Sequence, residues 1–350
     1  MRGKVPHIVQ YQGSKRILAP QILQYMPVKI DRLIEPFSGM AAISIATAYE
    51  GRAEEFLIND LNAPLINMLQ EAVERPQTLI EDYSSIWEEQ FTYGEEHVQH
   101  FYDVRDRFNN GEKTPANMLY LLARCVKGAV RYGKNGNFNQ SPDKRRHGTN
   151  PRTLASNVYE ISHLLKGKAK FKALDYHDIF EMARPGDLVY MDPPYQGVSN
   201  VRDNRYLAGV PFNEFADALE ILNRKGINYL ISYDGVCGGK EYGEDLPDSL
   251  HCKKIIIRRI CTYFPSEDAE MPIDPSFEPT NSLDVMHEVI QPYANPDNTK
   301  IFSDLQKLEG IGLVVPVGEE HMYFAAMRSK TCALTSIGKQ YWRLVKDKLI

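Results

Sequence analysis

Apolar residues follow two rhythms along this 350-residue chain. Short apolar runs sit inside "RLIE", "EFLIND", "DLVYM" and "NYLISY", and their length and continuity suit strands buried on both faces of a sheet. Longer stretches between them repeat their apolar positions every three to four residues. In "APLINMLQEA", Leu65, Met68, Leu69 and Ala72 fall at i, i+3, i+4 and i+7, one buried helical stripe, with Pro64 suited to the first turn. The opening of the chain therefore reads strand (Leu33, Ile34), turn with Pro36 and Gly39, helix closed by Gly51, strand, helix. Such alternation predicts an α/β fold with a parallel sheet, helices on both faces and ligands outside the carboxyl ends of the strands.

The alternation then lapses for about a hundred residues, far more than an ordinary connection needs. Residues 77–128 read as helices, with Phe101, Val104, Arg105 and Phe108 at helical spacing and a further helix through "ANMLYLLARCV". "YGKNGNFNQSP" follows, and its Asn-Gly is a strong hairpin signal. From "KFKALDYHDIF" the α/β pattern resumes, with "FNEFADALEILNRKG" placing Phe212, Phe215, Leu219 and Leu222 on one helical face. One α/β domain over 1–75 and 170–265 is thus expected, interrupted by a helical and hairpin insert over 76–169. Residues 266–300, rich in Pro and acid, read as a surface excursion. Over 301–350 the pattern suggests a helix ("IFSDLQKLEG"), two strands ("LVVPVG", "HMYFAAMR") and a final helix ("LTSIGKQYWRLVKDKL"). That order suits a small winged-helix-like appendage, with a plain packing appendage on the sheet as the other reading.

Composition narrows the class. At 43% apolar the chain can bury a full core, no apolar run approaches the roughly 20 residues that cross a bilayer, and "MRGKVPHIVQYQGSK" lacks the apolar core of a signal peptide. A cytoplasmic protein that does not engage a membrane is expected. The five cysteines are scattered and never in a C-x-x-C pair, so neither a disulfide framework nor a zinc knuckle is indicated, and no metal is expected. The net charge of -5 hides an asymmetry: residues 124–172 hold twelve Lys/Arg against Asp143 and Glu160, a local +10, which leaves about -15 elsewhere. A cluster this one-sided is either a solvated face or the footprint of a polyanion.

Two turns carry the candidate chemistry. In "EPFSGM" an acid and a glycine stand at a strand-to-helix turn, where a ligand can approach the backbone and helix amides lie close by. Asp60 ends the next strand 21 residues after Gly39, the place where α/β nucleotide binders hold ribose hydroxyls; capping the following helix is its ordinary alternative role. The second turn is "DPPY". Prolines cannot donate to a ladder, so two of them directly after "DLVYM" end pairing and stiffen a turn that offers the Asp192 carboxylate, the Pro193 carbonyl and the Tyr195 ring in one frame. Two acceptors and a stacking face match a planar ring bearing an amino group.

With these residues in hand, the chain resembles the Dam-like (alpha-group) N6-adenine-specific DNA methyltransferases over most of residues 8–235. "YQGSK" resembles the motif beside the methionine end of the cofactor, "EPFSGM" the cofactor motif, "IND" the segment with the ribose acid, "FYDVRDRFN" and "MLYLLARCVKGAVRYGKNGNFN" the DNA-entering insert, and "DPPY" the catalytic loop. The order of these motifs, cofactor half, insert, catalytic half, is that of the alpha group. The resemblance implies a Rossmann-like sheet that binds S-adenosyl-L-methionine through Tyr11, Gly13, Lys15, Glu35, Pro36, Phe37, Ser38, Gly39, Asp60, Asp178 and Asp192. It implies methyl transfer to the amine of a flipped-out adenine by Asp192, Pro193, Pro194 and Tyr195, and double-stranded DNA as partner. Candidates to meet DNA are Arg124, Lys127, Arg131, Lys134, Asn137, Asn139, Arg145 and Arg146. It further implies a restriction-modification or phage setting, in which a cognate restriction endonuclease is a candidate partner. Departures are Ala41 in place of the second cofactor-motif glycine, "FNQSP" in the hairpin and Val126-Lys127 where Phe-Asn is common, so no target sequence carries over. Methylation of RNA or of a cytosine amine, or DNA binding without catalysis, are the alternatives.

Overall fold

The computed structural model describes residues 4–194, 210–232, 236–237, 240–241, 246–252, 263–277 and 295–346. They divide into two compact units. The first spans 1–234 and 243–250, the second 235–242 and 251–350.

The first unit is built on β1 (Ile30–Glu35), β2 (Ala53–Asn59), β3 (Ala169–Lys172), β4 (Asp187–Met191) and β5 (Asn228–Ile231). They form one parallel sheet in the order β3-β2-β1-β4-β5. Successive residues point to opposite faces. Leu33, Phe56, Ile58, Leu188 and Tyr190 enter one core, and Ile34, Leu57, Val189 and Met191 the other. Burial on both faces is what the short apolar runs foretold.

The helices are α1 (Ala19–Gln24), α2 (Ala42–Tyr49), α3 (Ala63–Glu74), α4 (Pro76–Glu89), α5 (His97–Asn109), α6 (Pro115–Arg124), α7 (Pro151–Leu165), α8 (Tyr176–Glu181) and α9 (Phe212–Arg224). Their starts are written locally. Asn62, Thr114, Asn150 and Asp175 each accept a hydrogen bond from an amide of the following turn, and Pro stands in the first turn of α3, α6 and α7. On α9, Phe215, Leu219 and Leu222 are buried as the periodicity predicts.

The helices of the insert share the core of the sheet: Tyr83, Phe101, Phe108 and Leu121 belong to the same apolar cluster as Leu33 and Phe56. Its last helix, α7, packs on α2 and α3 and leads into β3, as the crossover helix of the sheet itself. The Asn-Gly turn is a narrow hairpin closed by antiparallel bridges at Tyr132–Phe138 and Cys125–Pro142, with Gly136 at φ +76°.

In the second unit, β6 (Val236–Cys237) and β7 (Lys240–Glu241) pair antiparallel, and β8 (Glu270–Pro272), β9 (Val314–Pro316) and β10 (Thr331–Leu334) form an antiparallel sheet in the order β8-β10-β9. Around it lie α10 (Pro296–Gly310), α11 (Met322–Met327) and α12 (Ser336–Lys346). This corrects the expectation for "HMYFAAMR", which is helical: Met322, Ala325 and Ala326 are buried at helical spacing while Tyr323 and Phe324 are exposed. Because α11 joins β9 to β10, the hairpin wing of a winged helix is absent among the described residues.

Candidate active site

The sheet changes direction between β1 and β4, which are neighbours although a long chain separates them. Ligands of open α/β sheets bind outside the carboxyl ends at such a switch point. Glu35 ends β1 and Asp192 directly follows β4. Both sequence-derived turns therefore meet at the place where this topology puts a ligand.

Glu35 is buried and accepts a hydrogen bond from the Ser44 amide, in the first turn of α2, at 2.8 Å. Burial, with the like charge of Asp192 adding to it, pushes its carboxyl up to about 7 against the pull of that hydrogen bond. Asp192 receives the Lys15 ammonium at 2.6 Å, with side chains 7% (Lys15) and 19% (Asp192) exposed. The amino-terminal "YQGSK" segment is thereby tied to the end of β4 across 177 residues. On the same strand, Tyr190 shares a hydrogen bond with Ser232 at 2.7 Å, and burial, then the charge of Asp192, drives its hydroxyl well above the ordinary tyrosine range.

The "EPFSG" turn is pinned to the end of β2. The Gly39 amide donates to Asp60 Oδ2 and the Asn62 amide to Asp60 Oδ1, each at 2.9 Å, while Ser38 N–H donates to Asn59 C=O at 2.8 Å. Burial raises the Asp60 carboxyl above its ordinary value, and the two amides counter it. Gly39 sits at φ +49° with the Tyr11 ring so close that a Cβ would lie 3.1 Å from it, which explains why glycine stands there. Ala41 takes φ +53° without that freedom, a strained position for a residue with a Cβ.

Three residues overlooked in the sequence emerge here. Asn59 is fully buried; its side-chain amide donates to Pro36 C=O at 2.9 Å and Leu174 C=O at 3.0 Å, and its Oδ1 accepts from Leu174 N–H at 2.9 Å. One side chain thus locks the turns after β1 and β3 to the end of β2. Asp175, next to Leu174, caps α8, and Asp178 stands in the first turn of that helix; both acids are exposed. Tyr176 follows, with its ring 5.2 Å from that of Phe37. All three stand at or shortly after a strand end, the position that also singles out Glu35, Asp60 and Asp192.

The insert docks on this site through backbone. Gly128, at φ +59°, lies so close that a Cβ would fall 2.2 Å from Gln10 C=O, and its own carbonyl accepts from Gln12 N–H at 3.0 Å. The Tyr132 hydroxyl donates to Asn62 Oδ1 at 3.0 Å, two residues from Asp60. Lys127, Arg131, Lys134 and Asn139 are exposed on the hairpin, and Asn137 is partly exposed. Arg145 and Arg146 are exposed and both pair with Asp143, at 3.6 and 2.8 Å. Arg124 differs: it is fully buried and its guanidinium is spent on internal partners, so it does not reach a ligand surface. Pro193 is buried and Pro194 partly exposed; Tyr195 lies outside the described residues. No described helix is long and apolar enough to cross a membrane.

The chain is similar in sequence to known proteins. The DNA N-6-adenine-methyltransferase of Escherichia phage P1 is 27% identical over 249 residues, 68% of this chain but 31% of that protein, so the match spans about a third of its length. Type II methyltransferase M.MjaIII of Methanocaldococcus jannaschii is 26% identical over 277 residues, covering 73% of this chain and 93% of that one. The DNA adenine methylase of Serratia marcescens is 27% identical over 194 residues, 55% of this chain and 67% of that one. Residues 11–259, which include every turn described above, match the family of D12 class N6 adenine-specific DNA methyltransferases, and the chain belongs to that family.

Proposed function

We propose that the protein transfers a methyl group from S-adenosyl-L-methionine to the N6 amine of an adenine flipped out of duplex DNA. The observation that carries this reading is the convergence of Glu35, Asp60 and Asp192 at the switch point of the sheet, beside a turn that backbone can approach. The residues present suit the cofactor chemically. Asp60 retains lone pairs for ribose hydroxyls, the Phe37–Tyr176 pair is an aromatic slot edge beside Asp175, and Glu35 and Asp192 are acids near which a cationic methionine end is favoured. The cofactor, when bound, supplies a methyl on a sulfonium, which is already a good leaving group.

The chain's task is then to align an amine and free its lone pair. Asp192 and the Pro193 carbonyl accept the two amine hydrogens, drawing the nitrogen toward tetrahedral geometry. As the methyl passed to the nitrogen and the thioether left, the Asp192 carboxylate would stabilise the positive charge that develops there until one amine proton is released. Tyr195 holds the ring by stacking. Lys15 fixes the Asp192 carboxylate before the base arrives. Flipping the base costs a few kcal/mol of unstacking, which contacts of the insert offset. In this reading Lys127, Arg131, Lys134, Asn137 and Asn139 meet base edges, and Arg145 and Arg146 phosphates.

The test is kinetic. Asp192→Ala, assayed at saturating S-adenosyl-L-methionine, should lower methyl transfer to adenine-containing duplex by at least about 100-fold. Transfer near the wild-type rate would remove Asp192 from the chemistry. Type II methyltransferases among the relatives favour a restriction-modification setting, in which a cognate endonuclease would read the same site.

A further inference from the structure

The loop 141–149, between the hairpin and α7, carries Lys144, Arg145, Arg146 and His147 exposed on its outer side. Its backbone is held from beneath at Asp143, His147 and Thr149. Asp143 N–H donates to Arg124 C=O at 2.8 Å, and Arg124 Nη1 donates to Asp143 C=O at 3.1 Å. Buried Gln90 donates to His147 C=O at 3.1 Å, and the Tyr83 hydroxyl to Thr149 C=O at 2.6 Å. The His147 ring lies 4.5 Å from that of His97 and 5.2 Å from that of Phe91. Gly148, at φ +85°, passes so near Arg124 that a Cβ would stand 3.2 Å from its Cγ. Within the loop, Asp143 accepts from the Arg145 amide at 3.0 Å and from Arg146 Nε at 2.8 Å.

Arg124 is the unusual member. It has no exposed surface, and its remaining donors go to His97 Nδ1 at 3.1 Å, His97 C=O at 3.2 Å and the Tyr120 hydroxyl at 3.4 Å. Among the described residues it has no carboxylate partner. A buried guanidinium satisfied only by carbonyls, a hydroxyl and an imidazole keeps its full positive charge in a medium that screens poorly. That charge lies directly under four outward basic or imidazole side chains, where a solvated loop would need neither the pins nor the charge.

We propose that Arg124 is a positioning residue: it holds the 141–149 loop as a preformed surface on which Lys144, Arg145 and Arg146 grip the phosphates of duplex DNA, without touching DNA itself. The inference rests on the DNA-modifying reading above. A rigid loop binds a repeating polyanion with less ordering cost than a mobile one, and the buried charge strengthens the field at its surface.

The test is duplex binding without cofactor, by fluorescence anisotropy over a salt series, for Arg124→Met, Arg124→Lys and Tyr83→Phe. Tyr83→Phe removes a different pin on the same loop while keeping its ring. Arg124→Met and Tyr83→Phe should weaken binding by about threefold to tenfold and flatten the salt slope by about one, with Arg124→Lys recovering part of the loss. Cofactor affinity and kcat at saturating DNA should stay at wild-type values. Wild-type DNA affinity and slope in both variants would overturn the inference, and so would a fall in cofactor affinity that matches the fall in DNA affinity, since that marks general loss of packing. If Arg124→Met does not fold, Tyr83→Phe decides by the same criteria. A wild-type protein that binds duplex while the variants bind alike sinks this inference alone; one that binds no duplex sinks the DNA reading with it.

Discussion

Glu35 shows how a single side chain reports on the site. Its carboxyl is raised to about 7 from 4.5, chiefly by burial, so between those values the folded, cofactor-free protein holds a proton that the unfolded chain has released. The stability it contributes is complete below about pH 4.5 and is lost as pH rises through about 7, at most about 3 kcal/mol in all. Thermal denaturation of the cofactor-free protein at about pH 5.5 and about pH 8, values roughly two and a half units apart that bracket that loss, should show a steeper drop for the wild type than for Glu35→Gln. Equal drops would mean that Glu35 is solvated. The residue scale is also where the sequence was most and least legible. Glu35, Asp60 and Asp192 stand out because each is an acid at the end of an apolar run, where an α/β sheet presents ligands. Asn59 did not, since a buried amide clamp has the same letter as a surface asparagine. Arg124 misled for a related reason: charge in a basic run reads as surface, and only the fold reveals that it is the innermost of the cluster.

Among elements, the turns matter more than the strands that carry them. Asn59 joins three strand ends, and Asn59→Ala would leave the Leu174 amide and two carbonyls without their partner, a loss of about 3 kcal/mol. Urea denaturation should register that loss together with weaker cofactor binding; a variant as stable as wild type would show that the clamp is replaceable. Gly128 makes the corresponding prediction for the insert. Alanine there would meet Gln10 C=O at 2.2 Å and strain a positive φ, so Gly128→Ala should destabilise by at least about 2 kcal/mol, read from the same titration. Helices and strands of the first unit were readable because each carries its own period and cap. The second unit was less so: six residues of α11 hold too few turns for a helical period to beat an alternating one, and "HMYFAAMR" satisfies both.

At the scale of the molecule, an acidic chain concentrates its positive charge in the segment that the fold sets beside the cofactor half. The insert is no separate module, since Tyr83 and Phe101 lie in the core of the sheet and Tyr132 bonds within two residues of Asp60. The insert and the strand ends are therefore held by shared packing, which sequence order alone could not reveal. Motif order predicted the family and the sheet; contact between distant segments, such as Lys15 with Asp192, had to come from three dimensions. The central claim is methylation of the adenine amine. The most direct measurement is to incubate the protein with methyl-labelled S-adenosyl-L-methionine and duplex DNA, with RNA in parallel, digest to nucleosides and resolve them by mass spectrometry. The account predicts label in N6-methyladenine from duplex DNA and none with Asp192→Ala; label in cytosine or RNA, or none from folded protein that binds the cofactor, would contradict it.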